Sequence, residues 1–221
     1  AALAGLVGDG ARVIVATEAF AVDAPERERR VVELARAMGL PATSGHEVSR
    51  LYGLRPRTRT AAVNACILPR MIQTAEMTAR AVAAAGIAAP LMIMRSDGGV
   101  MALEEMRRRP ILTILSGPAA GVAGALLFAK VSTGIFLEFG GTSTDISLIR
   151  EGRAVMKPAR IGGHRTYLTT LDVRTVGIGG GSLAVVERKR IVRVGPRSAH
   201  IAGLPYAAFE APADGVCEPA Q

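Results

Sequence analysis

Tryptophan is absent from this chain, and aromatic residues make up only 4% of it. The net charge of +8 therefore has no stacking platform beside it, and a nucleic-acid partner is not expected. Much of the positive charge is arginine spread along the chain, in "ERERR" (26–30), "LRPRTR" (54–59) and "RRR" (107–109). Such runs read as solvated surface and helix-end charge. There are only two cysteines, Cys66 and Cys217, far apart and in no CxxC pair. That argues against a metal ribbon and fits a reduced, cytoplasmic compartment. No apolar run approaches the ~18 residues needed to span a bilayer, so no membrane partner is expected. The opening "AALAGLVGDGARVIVA" has no basic region of the kind that begins a signal peptide. The chain also has no Walker motif, no HExxH or H-x-H spacing around His46, His164 and His200, and no GxSxG elbow.

What is present is a chain of 221 residues, 49% hydrophobic, enough for one sizeable core or two small ones. Strand and helix patterns alternate. "RVIVA" (12–16) predicts a strand, and Asp23 and Pro25 predict the start of a helix that Gly39 ends. Val31, Leu34, Ala35 and Met38 fall on one face of it. Residues 60–86 give the longest helical pattern, with a kink expected at Pro69. "LMIM" (91–94) and "ILTIL" (111–115) read as strands, and 102–108 as a short helix. In "SGPAAGVAGALLFAK" (116–130), Ser116 or Gly117 caps a helix that Pro118 opens. Gly117, Gly121 and Ala125 give that helix a bare face for close packing. From residue 134 the character turns to β, with strands expected at 135–139, 145–150, 153–157, 171–176, 183–187 and 190–194. A boundary is expected near 130–134, dividing the chain into 1–130 and 131–221. The tail "EAPADGVCEPAQ" (210–221) reads as loop.

Two glycine clusters carry the chemistry. In "LEFGGTSTDIS" (137–147), Gly140 and Gly141 lie between apolar runs, as a hairpin turn requires. A turn alone does not ask for Thr142, Ser143, Thr144 and Asp145 in succession. A phosphate site does: glycines let N–H groups converge on an anion, hydroxyls add donors, and a nearby carboxylate suits Mg²⁺. The second cluster, "VGIGGGS" (176–182), follows "LDVRTV" and is not a dinucleotide fingerprint, because Ser182 stands where the last glycine should be. Alone it is compatible with a flexible turn or with close backbone approach to a ligand.

"MRSDGGVM" (94–101), "TILSGPAAGVAGA" (113–125), "FGGTSTDISLI" (139–149) and "LDVRTVGIGGGSL" (171–183) occur in that order. Together with "SGHEVSRLYGLRPRTRTAAVNACILP" (44–69) they resemble the hydantoinase A / 5-oxoprolinase family over roughly residues 10–200. The resemblance implies an α/β fold of the actin-like ATPase (ribonuclease H-like) type. Here it would comprise the end of a first lobe and the β-rich start of a second. It implies ATP and Mg²⁺ as cofactors and a cyclic amide of the hydantoin or 5-oxoproline type as substrate. The amide oxygen would be phosphorylated and the ring opened by water. Relatives serve in acetone-carboxylase-like complexes, so a second subunit or a homo-oligomer is a possible partner. On this resemblance Gly140, Gly141, Thr142, Ser143 and Thr144 hold the phosphates. Asp145 is the catalytic carboxylate and a metal ligand with Glu138, and Gly179, Gly180, Gly181 and Ser182 line the same cleft.

Three departures accompany the match. The family commonly has Asp where Glu138 stands, and the longer arm alters the metal geometry. "GGHRTYLTTLDVR" (162–174) differs from the hydantoin-opening members. The family's N-terminal DxGGTxTD hairpin is missing, so the chain is expected to be an internal piece that needs the remainder of its own chain. A non-catalytic nucleotide-binding or scaffolding subunit is the alternative that Glu138 and 162–174 motivate.

Overall fold

The computed structural model describes residues 2–205. Cys217 and the expected 210–221 loop lie outside the described residues. A short helix, α1 (Ala2–Gly8), leads into strand β1 (Ile14–Ala16). Helix α2 (Glu26–Ala37) follows, and Gly39, at φ 78°, turns the chain out of it. Strand β2 (Ala42–Ser44) returns parallel to β1, and α3 (Gly45–Val48) continues from it.

The long helix α4 (Leu54–Ala84) begins six residues before the expected start and runs through Pro69. Its first turns lie in the arginine-rich stretch read as surface, yet Arg57 is 1% exposed there. The guanidinium donates to the Leu51 and Glu18 carbonyls, at 3.2 and 2.5 Å. Asn64, in the same helix, is fully buried. Its amide donates to Thr43 Oγ1 and the Arg108 carbonyl, and its oxygen accepts from Ile111 N.

Strands β3 (Met92–Met94) and β4 (Val100–Ala102) form a hairpin around the "RSDGG" loop, and α5 (Leu103–Arg108) follows. The expected strand at 111–115 is instead a 3₁₀ turn, Pro110–Thr113. Proline lacks the N–H a ladder would need, and the Ile111 N–H is taken by Asn64. Helix α6 (Ser116–Ala129) begins at Ser116 itself, with Leu115 before it in a left-handed conformation (φ 63°). Of its glycines, Gly121 is the one in close contact, facing Phe136 and Glu138.

Two expectations for α2 do not hold. Asp23 makes no capping bond and accepts instead from the Tyr52 hydroxyl at 2.6 Å. The buried face is Glu28, Val32 and Ala35, with Leu34 and Met38 exposed. The helix is rotated because Glu28 is held inside by hydrogen bonds.

The β-rich part starts with β5 (Gly134–Phe139) and β6 (Thr144–Arg150), an antiparallel pair. Short β7 (Arg153–Ala154) and β10 (Val173–Val176) both pair with β6, giving the sheet its order β10-β6-β5 with β7 off the end. Strands β8 (Met156–Ile161) and β9 (His164–Leu171) make a separate hairpin, as do β11 (Ser182–Glu187) and β12 (Arg190–Ser198). Thus the expected 153–157 strand is two pieces, and β9 had no counterpart in the sequence pattern. Its inward face alternates Thr166, Leu168 and Thr170, so one leucine stands between two buried threonines and no apolar run marks the strand.

Among the described residues the core comprises three clusters. One joins α4, α5 and the 3₁₀ turn with Ala159 and Leu168 of the β8–β9 hairpin, across the expected 130–134 boundary. A second packs α2 on β1 and β2. The third packs α6 on the β6 sheet through Ala119, Val122, Ile149, Leu171 and Val173. No helix among the described residues is long and apolar enough to cross a membrane.

Candidate functional site

The β5–β6 hairpin brings the "GGTS" residues to its tip. Phe139 pairs with Thr144 and Glu138 with Asp145, leaving residues 140–143 as the loop. The Gly140 N–H closes the loop on the Ser143 carbonyl at 2.9 Å. The N–H groups of Gly141, Thr142 and Ser143 donate to no backbone carbonyl among the described residues. The N–H groups of Gly141 and Thr142 and the hydroxyls of Thr142 and Ser143 thus lie at or beside an exposed tip, with Ser143 N against Gly179; unpaired donors on a glycine turn are what an anion site draws on.

Glu138 and Asp145 sit directly opposite each other, so their side chains share one face of the hairpin. Like charges so placed repel. A cation or a hydrogen-bond donor relieves this, and Asp145 has a donor: the Thr175 hydroxyl, its partner on β10, at 2.5 Å. Glu138 reaches over α6, where a Cβ on Gly121 would lie 2.6 Å from its Oε2. Among the described residues, no cluster of three or more His, Cys, Asp or Glu is arranged to hold a metal. Two carboxylates on one strand face nevertheless suit Mg²⁺, which takes one or two carboxylates and completes its shell with water and phosphate oxygens.

The second glycine cluster packs against the first. Gly180 N donates to the Gly140 carbonyl at 2.9 Å and Gly181 N to the Gly141 carbonyl at 2.7 Å. Gly179 N donates to Ser182 Oγ and Ser182 N returns to the Gly179 carbonyl. A Cβ on Gly179 would lie 2.5 Å from the Gly140 carbonyl oxygen and 2.7 Å from Ser143 N. Thr144 is buried, and its hydroxyl donates to the Ile178 carbonyl at 2.7 Å. The structure therefore brings all the predicted site residues into one unit. The N–H groups of residues 179–182 and the Thr144 hydroxyl proton are used within that unit. The glycine pattern marked both loops as sites of close approach; that the close neighbour of one is the other was not legible in it.

The model of the family described as Hydantoinase/oxoprolinase matches residues 57–213. The chain belongs to the hydantoinase/oxoprolinase family. It is 34% identical over 187 residues to caprolactamase subunit alpha of Pseudomonas jessenii, a match covering 81% of this chain and 27% of the relative. It is 30% identical over 181 residues to a 5-oxoprolinase of Saccharomyces cerevisiae, covering 79% and 14% respectively. Among solved structures, a nucleotide-free acetone carboxylase, studied for ATP-dependent acetone carboxylation, superposes with a TM-score of 0.71 at 27% identity, covering 90% of this chain and 29% of that one. The α/β fold expected from the sequence is thus the fold of this family. The chain spans less than a third of the length of these relatives.

Proposed function

We propose that this chain is the nucleotide-handling central part of an ATP-dependent hydrolase that opens cyclic amides, or of a related acetone-carboxylase-like subunit. The observation that carries the reading is the hairpin tip, where the N–H groups of Gly141, Thr142 and Ser143 make no backbone bond. In this reading they and the Thr142 and Ser143 hydroxyls bind the phosphates of ATP. Glu138 and Asp145 hold Mg²⁺, which when bound neutralises phosphate charge. Asp145 is also the catalytic carboxylate of the site, oriented by the Thr175 hydroxyl. Gly140 and Thr144 fix the loop, and Gly179, Gly180, Gly181 and Ser182 brace it from behind. Positioning is the main task of a protein in phosphoryl transfer, so a brace matters as much as a contact.

The remaining assignments extend the same proposal. The parts are residues 1–130 from a first lobe and 131–221 from a second. The enzyme works in the cytoplasm on a small cyclic amide and needs the remainder of its own chain. The word "subunit" in the caprolactamase relative's name supports a partner chain.

The test is Asp145→Asn in the full-length protein. Removing one of two opposed carboxylates relieves repulsion, so stability should hold or rise by about 0.2–1 kcal/mol. Activity should move the other way. Loss of one interaction with a charged group costs about 1.5–3 kcal/mol, roughly tenfold or more in kcat/KM for ATP-dependent ring opening. A folded Asp145→Asn protein with unchanged ATP-dependent turnover would leave the hairpin as a turn and favour the scaffolding alternative.

A further inference from the structure

We propose that the chain has a second binding site, for a small carboxylate- or phosphate-bearing molecule, in the cavity between α2, α3 and α5. The cavity holds about 660 Å³, within the ~300–1,000 Å³ usual for small-molecule sites. Five arginines and three glutamates line it. Glu105 is taken by Arg109, at 3.1 Å, while Arg29, Arg50 and Arg108 have no carboxylate partner among the described residues. A concave wall with surplus guanidinium charge concentrates anions. The planar fork of each guanidinium suits a carboxylate or phosphate oxygen pair.

The cavity also contains a prepared imidazole. Glu28, 2% exposed, accepts from the backbone N–H of Glu18 and His46, both at 2.8 Å, and from His46 Nδ1 at 2.7 Å. A carboxylate only accepts, so the proton lies on Nδ1 and the ring is fixed in place. His46 itself lines the cavity, and its Nε2 has no protein partner among the described residues. A strut between α2 and α3 would be complete with the two backbone bonds. The ring bond adds something else: an oriented imidazole in a cavity wall whose arginines Arg29, Arg50 and Arg108 lack a carboxylate partner among the described residues. The site stands apart from the glycine loops and does not depend on the role proposed for them.

The experiment follows the His46 ring resonance by two-dimensional NMR, assigned by its loss in His46→Gln. The full-length protein is titrated with malonate and, separately, with inorganic phosphate. Sodium chloride of equal ionic strength is the control. The comparison variant is Arg50→Gln/Arg108→Gln, since both side chains are exposed and make no bond the fold would miss. We expect a saturable displacement by at least one anion, weakened at least about tenfold in the double variant, with its melting temperature kept. Response to malonate alone identifies a carboxylate ligand, and a tighter response to phosphate identifies a phosphorylated one. No saturable response at millimolar anion, an equal response to sodium chloride, or an unchanged affinity in the double variant each overturns the proposal.

Discussion

Replacing Gly179 by alanine tests the bracing of the hairpin tip by a single methyl group. The backbone of Gly179 lies outside the left-handed region, so its own conformation admits a side chain. On an open surface such a change would stabilise by about 0.4–1 kcal/mol through the unfolded state. Here the methyl carbon would lie 2.5 Å from the Gly140 carbonyl oxygen, 2.7 Å from Ser143 N and 2.9 Å from the Gly141 carbonyl carbon. All three are backbone atoms of the loop and cannot rotate away. Overpacking of this kind costs about 1–3 kcal/mol. If the loops part to relieve it, the Gly180–Gly140 and Gly181–Gly141 bonds stretch or break, at about 0.5–1.5 kcal/mol each. Either route destabilises, so the sign is opposite to that of a tolerated Gly→Ala. A loss of about 2 kcal/mol corresponds to roughly 4–8 °C for a folding unit of this size. It also displaces the N–H groups of residues 141–143, and losing one charge-assisted bond should weaken ATP binding by about tenfold or more. Two neighbouring substitutions serve as controls. A Cβ at Gly180 has its nearest atom at 3.9 Å, and one at Gly141 meets nothing within 4 Å. Gly180→Ala should therefore keep both stability and affinity. Gly141→Ala should keep stability while crowding the space proposed for phosphate. Calorimetric melting and ATP titration of the three variants settle the matter. If Gly179→Ala melts with the parent and binds ATP as tightly, the two loops are not mechanically joined.

Further outcomes follow from other contacts. Asn64→Leu should cost about 3 kcal/mol or more in chemical denaturation, because it strands the buried Ile111 N–H and removes bonds to Thr43 and Arg108. Gly121→Ala should destabilise by about 1 kcal/mol or more, since a methyl group there would press on the Phe136 ring at 3.1 Å as well as on the Glu138 carboxylate at 2.6 Å, and should raise the Mg²⁺ concentration needed for half-maximal activity. The hydrogen bond to Asp23, then burial and the charge of Asp23, raise the Tyr52 phenol above its ordinary value of 10.0. The folded pKa is thus the higher one. The stabilisation is present below the ordinary phenol value and is lost as pH rises through the raised one. Absorbance titration should show a late-ionising component from Tyr52, and Asp23→Asn should remove it.

The parts of the fold legible in the sequence are those where one residue type has one physical use. Gly140 and Gly141 between apolar runs gave the hairpin, and Gly39, at positive φ, ended α2. The parts that were not legible turn on polar groups that tertiary contacts bury. Glu28 reads as a surface charge until Glu18 and His46 are folded around it, and its burial rotates α2 away from the face its apolar residues predict. Arg57 reads as part of a charged run, yet two carbonyls far apart in sequence bring it inside and carry α4 back to Leu54. Thr166 and Thr170 line the buried face of β9, so no alternation of apolar residues announces that strand. The same reason bounds what "GIGGGS" could reveal. Glycine reports that something comes close, not what it is. Here the thing that comes close to Gly179 is the backbone of Gly140, Gly141 and Ser143. A substitution that only removed a ligand contact would leave the melting temperature alone. One that wedges apart two backbone segments must lower melting temperature and nucleotide affinity together, and the coupling of those two readouts distinguishes a brace from a contact.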